Sequence, residues 1–214
     1  MSGWSRHKGT AVVLNRENVD TDQLIPARFM STPRSQGYGD FLLYDLRRDA
    51  TGAMVPDFPL NAVSQASVLI SRRNFGSGSS REAAVYALVD FGIRVVIAPS
   101  FGDIFSSNAV NNGLLPARIS EAAADEAIAR IGTGQAIVEV DLTQRALWIG
   151  ATQLDFTLDE VWQQKLINGW DDIDMTSQHH KAIAGFRVDH LRRMPWAEPV
   201  QQTNLRSAGR ETGS

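Results

Sequence analysis

Two short runs rich in β-branched residues, 67–71 (S-V-L-I-S) and 94–98 (R-V-V-I-A), stand on either side of a Gly/Ser loop and a helix-patterned segment. No other feature constrains the fold as strongly. Short apolar runs of this kind, bounded by turn residues, read as buried strands. Between them, residues 74–80 (N-F-G-S-G-S-S) form a loop, and the pattern turns helical from Arg81 to Phe91. Ala84, Val85, Leu88 and Phe91 fall at i, i+1, i+4 and i+7, which is one face of a helix. Gly92 follows as a C-terminal stop. A second helix is expected over 101–110, ended by Gly113. Strands joined through a helix run parallel, so the chain is expected to be an α/β protein.

The flanks are less regular. Residues 10–14 read as a strand, 18–25 as a polar turn before Pro26, 31–40 as an exposed loop, 41–46 as a short helix and 49–59 as loop. An Ala-rich helix is expected over 120–131 with Ser120 as its N-cap. Residues 135–141 alternate as a strand, with 146–150 as its hairpin partner. Helices are expected over 158–167, stopped by Asn168-Gly169, and over 175–184. Residues 201–214 are polar and read as a disordered tail, leaving one domain over 1–200.

Composition removes several classes of function. Of 214 residues, 43% are apolar, enough for a core and too many for a disordered chain. The net charge of −3 gives no basic excess for nucleic acid. No apolar run is long enough to span a bilayer, and no secretory signal opens the chain, so a cytoplasmic protein is expected. There is no cysteine, which removes disulfides, thiolate nucleophiles and Cys-based metal sites, iron–sulfur clusters included.

The loop at 74–82 carries the chemistry. A strand end, a glycine turn and a helix start bring backbone N–H groups and the positive helix end together, which suits an anion. Ser79, Ser80 and Arg81 add two hydroxyls and a guanidinium that can fork onto a carboxylate. A plainer reading competes: Ser79-x-x-Glu82 also fits a capping box, with Ser79 accepting from the Glu82 N–H. On local chemistry alone the cap is the stronger reading.

Elsewhere the signals are weaker. Asp20-Thr21-Asp22 offers two carboxylates to a cation, but such pairs are common in turns, and Asp22 reads better as an orienting group or cap. His179-His180 lacks a third ligand at sensible spacing and reads as surface. His7 and His190 look isolated. Arg47-Arg48 and Arg192-Arg193 read as solvated, and Trp162 and Trp170 as packing residues.

Four segments taken in order decide between these readings. They are N-V-D-T-D-Q-L-I-P at 18–26, N-F-G-S-G-S-S-R-E at 74–82, A-P-S-F-G-D-I-F at 98–105 and N-N-G-L-L-P at 111–116. Together they resemble the small subunits of 3-isopropylmalate dehydratase, in the aconitase superfamily, over most of the chain. The resemblance implies an aconitase-like swivelling β/β/α domain, with a mixed sheet flanked by helices, as a separate chain. It implies a hydro-lyase that interconverts 2- and 3-isopropylmalate in leucine biosynthesis, active only with a large subunit. That large subunit would carry a [4Fe–4S] cluster, and no cofactor or metal would sit on this chain. Ser79 would be the catalytic base. Ser80, Arg81 and Arg34 would bind substrate carboxylate, Thr21 and Asp22 would line the site, and loop 30–39 would sense the alkyl group.

Two positions depart from the family's pattern. Ser77 stands where cysteine is frequent, and Ala83 where histidine usually follows R-E. The second departure leaves two alternatives open. One is a paralogous hydratase for another alkylmalate or homoaconitate-type acid, the other a non-catalytic binding module. Retention of Ser79 together with Arg81 argues against the module.

Overall fold

A computed structural model describes residues 2–63 and 65–198. Seven strands form a single sheet: β1 (Arg6–Leu14), β2 (Ala66–Ser71), β3 (Val95–Ala98), β4 (Leu115–Arg118), β5 (Gln135–Asp141), β6 (Ala146–Ile149) and β7 (Thr152–Asp155). Their spatial order is β4-β3-β2-β1-β5-β6-β7. β1 to β4 are mutually parallel, and β5, β6 and β7 continue from β1 as antiparallel neighbours. The sheet is therefore mixed, as expected.

The helices are α1 (Thr21–Leu24), α2 (Tyr44–Arg47), α3 (Pro59–Ala62), α4 (Glu82–Phe91), α5 (Asp103–Asn111), α6 (Glu121–Ile131), α7 (Glu160–Asn168), α8 (Asp172–Ser177) and α9 (His180–Arg193). α4 links β2 to β3 and α5 links β3 to β4. Side chains alternate across a strand, so the parallel half feeds two cores. Val12, Leu14, Leu69 and Val96 pack on one face with Ala84, Val85 and Leu88 of α4 and Phe105 of α5. Ala11, Val13, Val68, Ile70 and Ile97 pack on the other with Ala124 and Ala127 of α6 and Leu166 of α7. Gly92 ends α4 in a left-handed conformation, φ 111°, which only glycine adopts without cost. Ser120 caps α6 by accepting the Ala123 N–H at 3.1 Å.

Several elements differ from expectation. β4 contains Pro116, and proline in a sheet is confined to edges; β4 is the edge strand. β7 follows β6 through a tight turn at Gly150 (φ 61°). The segment expected as one helix over 175–184 is two: α8 ends at Ser177, and α9 runs from His180 to Arg193. No residue of either is buried, so no apolar periodicity marks them. Arg47 is not solvated. It is 6% exposed, donates to Asn61 Oδ1 at 2.9 Å and to the Leu42 carbonyl at 3.2 Å, and lies 4.7 Å from the Phe91 ring centre. His7 bonds Ser67 Oγ at 2.9 Å, and His190 stacks on Phe186.

The chain divides into two compact units, Met1–Ile173 and Asp174–Ser214. The whole sheet lies in the first. The second contributes α9, whose Ile183, Phe186 and Val188 face solvent. The tail expected over 201–214 lies outside the described residues. No described helix is long and apolar enough to cross a membrane.

Candidate active site at the ends of the parallel strands

In open α/β sheets, ligands bind beyond the carboxyl ends of the strands. Three connections leave those ends side by side: β1 to α1, β2 to α4 and β3 to α5. The first two are zipped together past their strands. The Arg72 N–H donates to Arg16 O at 3.1 Å, Asn18 N–H to Arg73 O at 3.0 Å, Gly76 N–H to Val19 O at 2.7 Å and Thr21 N–H to Ser77 O at 2.9 Å. Asn18 and Asn74 both hold positive φ, 55° and 60°, and their side chains bond each other at 2.8 Å. Asparagine tolerates that conformation, and strain of this kind collects where a loop is held for use.

The third connection fastens to the second. The Phe75 N–H donates to Ser100 O at 3.0 Å and the Gly102 N–H to Phe75 O at 2.9 Å. Gly76, φ 71°, lies against the Phe105 ring so closely that a Cβ would enter it. Phe105 in turn meets Phe75 edge-on, ring centres 5.4 Å apart. The loop therefore rests on a fixed aromatic floor.

This zipper delivers Thr21 to Ser79. Thr21 Oγ1 donates to the Ser79 carbonyl at 3.1 Å and stands 3.3 Å from Ser79 Oγ. Thr21 is 2% exposed, while Ser79 and Ser80 are exposed. Asp20 caps α1 through a capping box with Gln23, which leaves Asp22 free for another partner. That partner is Arg81, paired through its guanidinium to the Asp22 carboxylate. Thr21, Asp22, Ser79 and Arg81 are thus one connected group, with Ser80 beside them in the chain.

The capping reading of Ser79 does not hold. Arg81 occupies the N-cap of α4 and no side chain caps that helix. The Arg81 N–H bonds the Ser79 carbonyl at 2.8 Å, which turns the chain before the helix and leaves the serine hydroxyl outside the cap. The first-turn N–H groups of α4 keep their positive character near Ser80 and Arg81.

Arg34 lies elsewhere. It forks onto Asp90 at 2.9 and 3.3 Å, with its guanidinium 3.8 Å from the Tyr86 ring centre. The bond to Asp90 raises the Arg34 pKa above its ordinary value. Burial and a hydrogen bond with Glu82 raise the Tyr86 phenol. Asp90 also accepts the Tyr38 N–H at 3.3 Å, so loop 30–39 is fastened to the far end of α4. That end is about 12 Å along the axis from Glu82.

The two departures from the family's pattern fall in the serine loop and in the first turn of α4. Ser77 is half-buried and its carbonyl accepts the Thr21 N–H at 2.9 Å. Ala83 is 8% exposed and belongs to the core beneath the loop. The sequence pattern did not single out Asp103 and Ile104, which open α5. They line a cavity of about 220 Å³ together with Gly76, Gly78, Ser79, Gly102 and Phe105. No group of three potential metal ligands occurs among the described residues. Without cysteine the chain has no thiolate for an iron–sulfur cluster, so its donor set does not fit one.

Residues 1–122 match the family described as the aconitase C-terminal domain. A 3-isopropylmalate dehydratase small subunit of Shouchella clausii is 47% identical over 182 residues, covering 84% of this chain and 92% of that one. The chain belongs to the 3-isopropylmalate dehydratase small-subunit family. A small subunit of that family from Lactococcus lactis subsp. cremoris is 40% identical over 192 residues, 89% of this chain and all of that one. The crystal structure of a 3-isopropylmalate dehydratase from Methanocaldococcus jannaschii superposes with a TM-score of 0.62 at 28% identity, over 85% of this chain and 99% of that one. The relatives from Shouchella clausii and Lactococcus lactis subsp. cremoris are both named as small subunits.

Proposed function

We propose that this chain, joined to its large subunit, interconverts 2- and 3-isopropylmalate through the dehydrated intermediate, as a hydro-lyase of leucine biosynthesis. The observation that carries the reading is the Thr21–Ser79 contact beside the Asp22–Arg81 pair, at the exposed start of α4. A serine hydroxyl, a fixed guanidinium and an uncapped helix start converge where a dicarboxylate can reach them.

Each group has a role in that reaction. Ser79 takes the proton from the carbon beside a carboxylate. A serine alkoxide is a costly species; the Thr21 hydroxyl stabilises it by turning its single proton from the Ser79 carbonyl to Ser79 Oγ, while the start of α4 supplies positive potential. Arg81 forks onto a substrate carboxylate, with Asp22 holding the guanidinium in orientation. Ser80 adds a hydroxyl to the same carboxylate. Arg34, forked onto Asp90 and stacked on Tyr86, lies outside this group and takes no part in the step. The [4Fe–4S] cluster belongs to the large subunit and, when bound there, supplies a Lewis acid for the departing hydroxyl. Neither subunit turns over alone, because each holds half of the groups.

The relatives named as 3-isopropylmalate dehydratase small subunits, 47% and 40% identical over most of the chain, support this reading over the paralogue and the binding module. The test is to mix this chain with its large subunit, reconstitute the cluster anaerobically and offer 2-isopropylmalate beside other alkylmalates. Preferred turnover of 2-isopropylmalate is expected. Preference for another acid would overturn the substrate, and inactivity of an intact, cluster-loaded complex would overturn the enzyme.

A further inference from the structure

We propose that His7, Ser67 and Arg94 form a binding site for a tetrahedral oxyanion of the phosphate class, separate from the serine loop. The site lies at the amino ends of the parallel strands, while the Ser79 loop leaves their carboxyl ends. β2 alone runs about 13 Å from Ser67 to Ser71 before that loop begins.

The backbone is built to bring these groups together. β1 and β2 pair in parallel with Thr10 opposite Ala66 and Ala11 opposite Val68, so Ser67 is an extra residue with no partner across the ladder. A bulge of this kind re-aims a side chain, and between parallel strands it is rare. The re-aimed hydroxyl meets His7, with Ser67 Oγ 2.9 Å from Nε2. Gly9 leaves the space for that meeting. A Cβ there would stand 1.9 Å from Ser67 Oγ and 2.7 Å from His7 Nε2.

The charges around the cluster are one-sided. Arg94 stands directly before β3, and its backbone N–H donates to the Ser67 carbonyl at 2.8 Å, which seats it beside the serine. Its side chain is exposed, and its guanidinium has no hydrogen bond or ion pair among the described residues. The carboxylates of the neighbouring strand β5 are already engaged: Asp141 pairs with Arg6 and Glu139 with Lys8. Arg6 and Lys8 alternate with His7 along β1, so those pairs belong to the other face of the sheet. Burial, and then the Arg94 charge, hold the His7 pKa below its ordinary value. An anion between the two side chains would remove that repulsion.

The space and the donors suit such a ligand. His7 and Arg94, with Ser2 and Trp4, line a cavity of about 200 Å³. The Trp4 ring meets His7 edge-on at 5.9 Å, and its Nε1 donates to the Gly113 carbonyl at 3.2 Å, which fixes that wall. Arg94 offers a planar fork. When the imidazole carries both protons, Nε2–H donates to Ser67 Oγ and the serine proton is free for the ligand. Donors from three separate chain segments match the oxygens of a tetrahedral group better than those of a flat carboxylate.

The test titrates the full chain with sodium sulfate, a tetrahedral dianion, against sodium chloride at matched ionic strength. The His7 resonances, identified by their loss in His7→Gln, are followed by NMR from about pH 5 to about pH 8. The expected result is a saturable rise of the His7 pKa with sulfate and none with chloride. Arg94→Gln changes an exposed side chain and should weaken sulfate binding about tenfold or more. An equal rise with chloride, or one that never saturates, would mean charge screening and overturn the proposal. Unchanged sulfate affinity in a folded Arg94→Gln would overturn it as well. Succinate acting as strongly as sulfate would overturn the oxyanion class. Inorganic phosphate and glycerol 3-phosphate, compared at one pH, then separate the sources. Tighter binding of the ester supports a metabolite ester as ligand, and equal or weaker binding supports free phosphate.

Discussion

Thr21 Oγ1 lies 3.3 Å from Ser79 Oγ and donates to the Ser79 carbonyl at 3.1 Å, although the two residues are 58 positions apart. The contact exists because β1 and β2 are parallel neighbours whose connections stay hydrogen-bonded beyond the sheet. Thr21→Val keeps the shape and removes the hydroxyl. Turnover should fall about 10- to 100-fold, with large-subunit binding intact, and Thr21→Ser should recover most of it. Single-turnover rates of the three proteins check this.

Arg81 is held by Asp22 and presents a planar fork. Arg81→Lys replaces the fork by a point charge and should weaken substrate binding by about 2 kcal/mol, roughly thirtyfold in KM. Asp22→Asn should act in the same direction by releasing the guanidinium. Steady-state kinetics on the reconstituted enzyme separate KM from kcat for both.

Much of this was legible in the sequence, for physical reasons. β2, α4, β3 and α5 were readable because each buries a strong apolar pattern and each helix ends at a glycine or an Asn-Gly turn. β4 and β7 were not. Pro116 argues against a strand unless the edge position is known, and Thr152–Asp155 is too polar to alternate. Arg47 misled because a cation beside another cation reads as solvated. Only the tertiary fold brings Asn61, the Leu42 carbonyl and the Phe91 ring around it. At the site, Ser79 and Arg81 were visible as a motif, while the Asp22–Arg81 pair depends on neighbours distant in sequence.

The aromatic floor gives a stability prediction. Gly76→Ala puts a methyl into the Phe105 ring and asks alanine to hold φ 71°. The expected loss is about 2–5 kcal/mol, combining the left-handed backbone and the overpacking. Urea denaturation measures it, and a loss under about 1 kcal/mol would mean the loop does not rest on Phe105.

Arg47→Ala should cost about 2–4 kcal/mol, because it strips partners from Asn61 Oδ1 and the Leu42 carbonyl in the core. The same denaturation experiment reads it. A surface-like loss of under about 0.5 kcal/mol would contradict the buried placement.

His7 gives a pH dependence. Burial, and then the nearby Arg94 charge, lower its pKa below the ordinary 6.5. The unfolded chain therefore takes up the proton first as pH falls. Stability should drop as pH descends through 6.5 toward the folded pKa, and level off below it. Denaturation midpoints at about pH 7.5 and about pH 5.5 should differ more in the native protein than in His7→Gln. Equal differences would mean His7 does not contribute.

The most direct test of the catalytic assignment is the turnover of Ser79→Ala in a complex with the large subunit whose assembly and cluster content match those of the unaltered protein. A fall of about a thousandfold or more, with the complex intact, is the expected result. Turnover close to that of the unaltered complex would contradict a base at Ser79.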